Sequence, residues 1–245
     1  MIYTDKKQIT KLISYMATFD GGLYVRNRKD RPCNNVNAQF IMNMRKENTD
    51  YVEWVKDVLD NFTSAVIIDR KDYNTDGCIR DPQVRLESKA HPVLTTIRDR
   101  IYIDKVKVID PHMLTLMDAE SLAIIFMADG GSSLDARCLD PNNKSRLKNY
   151  SASITLNTKG FSYADNMSLS KAIYDKLGIR TTVNRQNKYY FLNVKVDDII
   201  KFVNTVAPYI CKSFLYKLER IAPYIEYKGG DMIWTSVKTE DGVQK

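Results

Sequence analysis

The sequence predicts an α+β fold of two pseudo-symmetric αββαββα units, each carrying an antiparallel sheet. The first observation behind this is a repeat: apolar residues run straight into Asp-Gly-Gly twice, at Ile13–Gly22 and at Leu122–Gly131. The two copies are separated by roughly one domain length, on the order of 110 residues. The second observation is that each copy is followed by alternating, strand-like stretches and then by stretches of helical period, in the same order in both halves.

The stretch Leu122–Met127 is apolar all round, which places a helix in a protein interior. It is far too short for a bilayer, which takes about 20 residues. The paired glycines are where each helix should stop, because glycine takes the left-handed conformation that closes a last turn. Asp20 and Asp129 then sit at the negative ends of their helix dipoles, where an anion is unfavourable and a cation is called for. A single such copy is equally a buried helix with an incidental acid; two copies point to function.

Taken in order, the first helix starts near Thr4-Asp5, which offer a cap, and carries Ile9, Leu12, Ile13, Met16 and Phe19 to Asp20. Tyr24–Arg28 alternates, with Tyr24, Arg26 and Arg28 on one face. After a break at Pro32–Asn35, Asn37–Arg45 puts Ala38, Phe40, Met42 and Met44 on one side and Asn37, Gln39, Asn43 and Arg45 on the other, with Ile41 as the exception. The two form an expected hairpin. Residues 49–61 have helical spacing through Tyr51, Val52, Val55, Val58 and Leu59. Strands follow at Ser64–Arg70 and Cys78–Ser88, joined by a turn with the Asp-Gly signal at 76–77. Arg70, Lys71, Arg80 and Arg85 make this pair basic, and a helix over 92–102 closes the unit. Residues 105–111 cross to the second half, which starts with a helix at 119–129.

There a long polar loop through Pro141–Lys144 leads to an alternating strand, Ser151–Asn157, in which Asn157 takes the place of Asn43. A helix over 163–177 ends at Gly178. Arg180–Arg185 pairs with Tyr189–Lys195 across Asn187-Lys188, and a helix covers 197–207. Residues 212–223 match the earlier crossover, Ile221 and Pro223 corresponding to Ile109 and Pro111, and beyond Tyr227 the chain is polar and unpatterned. The expected domains are 1–111, 112–227 and a tail at 228–245.

The net charge of +7 favours a polyanionic partner, most simply nucleic acid. Cys33, Cys78, Cys138 and Cys211 form no Cys-x-x-Cys pair, so neither a zinc cluster nor a disulfide framework is indicated. The two histidines, His91 and His112, each adjoin a proline in a connecting region and are too few for a histidine-based metal nuclease. A Walker-type phosphate loop is absent from the sequence. An export signal is not seen at Met1–Lys7, and an intracellular location, cytoplasm or organelle matrix, is expected.

The two Asp-Gly-Gly helices resemble the paired motifs of the LAGLIDADG homing endonucleases, in the single-chain, two-motif branch. The likeness is strongest in Leu122-Ala123, Phe126-Met127 and Asp129-Gly130-Gly131, and continues through Ser153–Thr158 and Leu215–Leu218, over most of residues 8–223. The first copy departs from the pattern at Tyr15, where a small residue is usual, and at Thr18, often acidic; Ile124 in the second is likewise large. The resemblance implies that the two motif helices form a central pair joining the units, that each DNA strand has its own active site, and that the cut leaves short 3′ overhangs. It also implies a monomer reading an asymmetric duplex target.

Phosphodiester hydrolysis needs a nucleophilic water, charge stabilisation and relief for the leaving oxygen, all within the reach of Mg²⁺. Mg²⁺ takes carboxylates, phosphate oxygens and water, so Asp20 and Asp129 are its expected ligands, with Mn²⁺ able to substitute. Lys217 matches the family's lysine in the second half; in the first, Lys107 and Lys105 both remain candidates. The sheets are expected to read DNA in the major groove, where Arg suits guanine and Asn or Gln suits adenine. The residues for this are Arg26, Arg28, Gln39, Asn43, Arg45, Arg70, Arg80 and Arg85, then Ser153, Thr155, Asn157, Arg185, Lys188 and Asn193. An RNA maturase, or a DNA-binding protein of the same fold that does not cut, is the alternative.

Overall fold

The computed structural model describes residues 5–25, 37–70, 81–138 and 148–230. The chain divides into two compact units, Met1–Leu116 and Met117–Lys245.

The first unit runs α1 (Lys6–Phe19), β1 (Gly22–Tyr24), β2 (Gln39–Arg45), α2 (Thr49–Asp60), β3 (Ala65–Arg70), β4 (Gln83–Ser88) and α3 (Pro92–Ile101). A two-stranded hairpin, β5 (Tyr102–Ile103) and β6 (Val106–Lys107), and a short helix α4 (Pro111–Thr115) complete it. Asp5 caps α1, its carboxylate accepting from the Lys7 amide at 2.9 Å. The four larger strands form one antiparallel sheet in the order β1-β2-β4-β3. One sheet face is buried through Leu23, Phe40, Met42, Val84 and Leu86. Together with Leu12, Met16, Val55, Leu59, Leu94 and Ile97 these residues make the core of the unit. Tyr15 is buried as well, its hydroxyl donating to the Met113 carbonyl at 3.0 Å, and Thr18 returns its hydroxyl to the Ser14 carbonyl at 2.7 Å.

The second unit repeats the order: α5 (Ala119–Asp129), β7 (Gly130–Cys138), β8 (Lys148–Leu156), α6 (Tyr163–Leu177), β9 (Thr181–Gln186), β10 (Tyr189–Val194) and α7 (Ile199–Val206). Two short helices, α8 (Tyr216–Glu219) and α9 (Ala222–Tyr227), follow. Its sheet has the corresponding order, β7-β8-β10-β9. Strand β7 corrects the expected loop: Ser132 and Leu134 turn inward while Ser133 and Asp135 are exposed, and the strand pairs with β8 along its length. A capping box between Ser162 and Asp165 starts α6, and Gly178 at φ 62° ends it in the left-handed conformation.

The motif glycines are not left-handed. Gly130 has φ −80° and ψ 150°, and among the described residues only Gly178 and Gly229 are glycines with positive φ. Glycine is required at 130 for lack of a side chain: a Cβ there would lie 2.3 Å from the Phe126 carbonyl oxygen and 2.7 Å from its Cα. The chain turns from helix to strand in one residue, leaving no room between them. Gly130→Ala is therefore expected to lower stability by about 1–3 kcal/mol, as overpacking does, measured by thermal unfolding. An unchanged midpoint would contradict the close approach.

Arg180 joins the start of β9 to α7. Its guanidinium spans both oxygens of Asp198 at 2.9 Å each, and its amide donates to Asp198 at 2.7 Å. The Arg180 side-chain hydrogen bonds, with its amide and charge assisting, hold the Asp198 carboxyl below its ordinary range against the opposing effect of burial. A carboxyl depressed in the folded state contributes stability that is present above its unfolded pKa, about 3.9, and lost as pH falls through the lower folded value. The unfolding midpoint of wild type should therefore fall more steeply below about pH 4 than that of Asp198→Asn. Parallel acid profiles would remove the pair from the stability account.

Candidate active site

Each motif helix ends in an acid, and in each unit a lysine ammonium is seated on backbone carbonyls at that helix end. Lys107 Nζ donates to the Ala17 and Gly21 carbonyls at 2.9 and 2.8 Å. Lys217 Nζ, buried, donates to the Phe126 and Met127 carbonyls at 3.0 and 2.6 Å. Ala17 and Phe126 each stand three residues before their acid, so the two lysines occupy equivalent places. The physical cause is common to both: the last carbonyls of a helix lack intrahelical partners and carry the negative end of the dipole, which a cation offsets. The cation that the acids call for in the sequence is thus partly supplied by the protein.

The scaffolds that deliver the lysines differ, which corrects the expected match between the two crossovers. Lys107 comes from a strand, opposite Tyr102 in the β5–β6 hairpin. Lys217 comes from α8, with Phe126 and Phe214 ring centroids 5.7 and 5.1 Å from its ammonium. Lys105, which the Ile-Pro spacing equates with Lys217, lies exposed in the hairpin turn, where Asp104 and Lys105 both have positive φ. The offset counted from the Ile-Pro pairs fails because a hairpin and a helical turn advance the chain by different amounts.

Asp20 is half-buried at the end of α1, and its Oδ2 accepts from the Tyr51 hydroxyl at 2.6 Å. Tyr51 is fully buried on α2, and its place in the apolar stripe of that helix reveals only a core residue. The available signal is that a buried tyrosine hydroxyl needs a partner. Asp129 is half-buried at the end of α5, its carbonyl accepting from the Asn157 amide at 2.8 Å.

The register of the sheets sorts the other site residues. Gly22 lies opposite Ile41 and Gly131 opposite Thr155, so Asn43 and Asn157 each stand two residues past the partner of the second motif glycine; both are exposed. On the outer face of the first sheet Asn43 faces Arg85, and Arg45 faces Gln83. Arg85 pairs with Glu87 at 2.5 Å, and Arg45 with Glu47 and Asp81 at 3.4 and 3.5 Å. Gln39 is buried, with no partner for its Nε2 among the described residues. Arg70 ends β3, while Arg26, Arg28 and Arg80 lie outside the described residues.

In the second sheet Ser153 bonds Ser133 at 2.8 Å and Thr155 bonds Asn193 at 2.8 Å, all on the outer face. Lys188 stands in the β9–β10 turn beside the Tyr189 ring. Arg185 is exposed near the end of β9, its Nε donating to the Asn187 carbonyl at 2.7 Å. The two-residue turn pairs Gln186 with Tyr189, so Arg185 lies opposite Tyr190 and alternates with the outward Asn184 and Gln186 while its side chain stays exposed. Its guanidinium lies 5.9 Å from the Tyr190 ring, and that ring packs on Tyr163 of α6. The same alternation puts Thr182, Asn184 and Gln186 on the outer face, where sequence reasoning had not placed them.

A family model described as the LAGLIDADG DNA endonuclease family matches residues 20–202. The chain belongs to the LAGLIDADG family. Its fold is shared with solved structures of that group. The homing endonuclease I-WcaI bound to its DNA recognition sequence is 20% identical with a TM-score of 0.63, covering 88% of each chain. I-SmaMI bound to cleaved DNA is 13% identical with a TM-score of 0.55 over 90% of each chain. The LAGLIDADG meganuclease I-AabMI bound to uncleaved DNA is 11% identical with a TM-score of 0.52, over 96% of this chain and 99% of its own. Membership of that family supports a DNA endonuclease, and the solved structures show the shared fold.

In this LAGLIDADG protein, no group of three His, Cys, Asp or Glu side chains able to hold a metal occurs among the described residues. Each motif instead offers a carboxylate, an oxygen donor. That set suits a hard cation such as Mg²⁺, which keeps several waters and binds through one or two carboxylates plus phosphate oxygens. No helix among the described residues is long and apolar enough to cross a membrane.

Proposed function

We propose that this LAGLIDADG chain is a site-specific homing endonuclease, acting as a monomer on a long asymmetric duplex target and leaving short 3′ overhangs with Mg²⁺ as cofactor. The observation that carries the reading is the helix end built twice: an acid at the terminus, and a lysine ammonium on backbone carbonyls at the same end. One such end per unit suits a reaction carried out once on each strand.

Asp20 in the first unit and Asp129 in the second would each offer a carboxylate to metal, which when bound activates water and offsets charge on the phosphorus oxygens. The chain's own groups do the rest. Tyr51 orients the Asp20 carboxylate through its 2.6 Å hydrogen bond. Lys107 and Lys217 keep a positive charge at each helix end, where negative charge develops on the phosphate. Asn43, Arg45, Gln83 and Arg85 in one sheet, with Ser153, Thr155, Asn157 and Asn193 in the other, present donors and acceptors to base edges. Gln39, Arg70, Arg26, Arg28, Arg80, Arg185 and Lys188 complete the proposed contact set.

The test is to incubate the full chain with Mg²⁺ and a plasmid library carrying candidate junctions, then sequence the ends. One recurrent double-strand break with 3′ overhangs is the expected result. Tight RNA binding with no DNA cleavage at any site would transfer the reading to an RNA maturase.

A further inference from the structure

The outer face of the first sheet carries two residues that do not belong on a solvated surface. Val66 and Ile68 on the edge strand β3 are 56% and 44% exposed. Both are β-branched and can neither donate nor accept a hydrogen bond, so they gain nothing from water. Register fixes their company: Val66 lies opposite Glu87 and Ile68 opposite Arg85, and across β4 from these stand Ile41 and Asn43. One row therefore reads Asn43, Arg85, Ile68, and the next Ile41, Glu87, Val66. Val66 and Ile68 point the same way along the strand, about 7 Å apart at 3.4 Å per residue. That spacing matches two base steps of a DNA strand, at 3.4 Å each.

The apolar group that a base pair displays in the major groove is the thymine 5-methyl, and aliphatic side chains pack against it. We infer that Val66 and Ile68 read thymine methyls, two base steps apart, in the half of the target held by the first unit. Asn43, in the row of Ile68, is the residue type that pairs with adenine, thymine's own partner. Arg85 and Glu87, joined at 2.5 Å, stand between the two apolar positions and β2, so the ridge lies beside a self-neutralised pair. The inference rests on the DNA reading proposed above and adds a base class to it.

The experiment starts from duplexes selected by the full chain out of a randomised library. Thymidines of the selected target are replaced by deoxyuridine, one half-site at a time, which removes the methyl and keeps every hydrogen bond. Burial of one such carbon contributes about 0.8 kcal/mol, or roughly a fourfold change in affinity. Wild type should select thymines two steps apart in one half-site and lose about fourfold per methyl removed there. Val66→Ser/Ile68→Ser, at exposed positions and checked by thermal unfolding, should bind the thymidine and deoxyuridine duplexes alike. Equal binding of both duplexes by wild type overturns the inference, and so does discrimination that survives in the double variant. A selection that yields no duplex at all would instead overturn the DNA reading, which separates the two failures.

Discussion

Asp20→Asn and Asp129→Asn are each expected to reduce cleavage by about 10³-fold or more while leaving DNA binding near wild type. The substitution keeps size and shape but removes the negative charge that a divalent cation needs as a ligand. A bound metal supplies several kcal/mol of charge stabilisation, and each 1.36 kcal/mol is a factor of ten in rate. The fold should tolerate the change: both acids are half-buried at helix ends, where the dipole disfavours a carboxylate, so the neutral amide relieves that repulsion. Cutting of the two strands is to be measured separately on an end-labelled duplex, because each unit is assigned its own strand. Unchanged cutting by either variant would remove that acid from the site.

The second large effect concerns the lysines. Lys107→Met and Lys217→Met should each slow cleavage by about 10²-fold, the lower range for a positioned acid–base or charge-stabilising group. Lys105→Met should leave it unchanged, because that side chain lies in an exposed turn. Both effective substitutions also strip a cap from a motif helix and leave two carbonyls without their donor, at a cost of about 1–3 kcal/mol for a buried group. Thermal unfolding measures that structural share. The pH–rate profile measures the other: a lysine that acts on the reaction moves the basic limb when replaced, whereas a lysine that only caps does not. A rate loss in Lys105→Met with none in Lys107→Met would reverse the assignment.

Much of the fold is legible locally. Helix periods, capping residues and the two-residue turn at Asn187-Lys188 are written in neighbouring positions, and α5, α6 and the β9–β10 hairpin form where those signals place them. Strand β7 escaped because a glycine-led run of Ser, Asp and Arg has weak strand character until β8 pairs with it. At Ala65–Ile68 four apolar residues in succession conceal which two face outward, and pairing with β4 decides it. The pairing of Arg185 with Tyr190 is legible, since a two-residue turn already sets the parity of its strand.

The order of residues along the chain is enough to establish that one unit occurs twice, each opened by an apolar helix ending in Asp-Gly-Gly. Periodicity, repeat and glycine depend only on short-range spacing along the chain. Packing in three dimensions explains why glycine is needed at 130, selects the lysine that reaches the first helix end, and brings Tyr51 to Asp20. Those are matters of distance between residues far apart in sequence. The path of the intervening chain sets that distance, and a hairpin in one unit and a helical turn in the other lead to the same place by different counts.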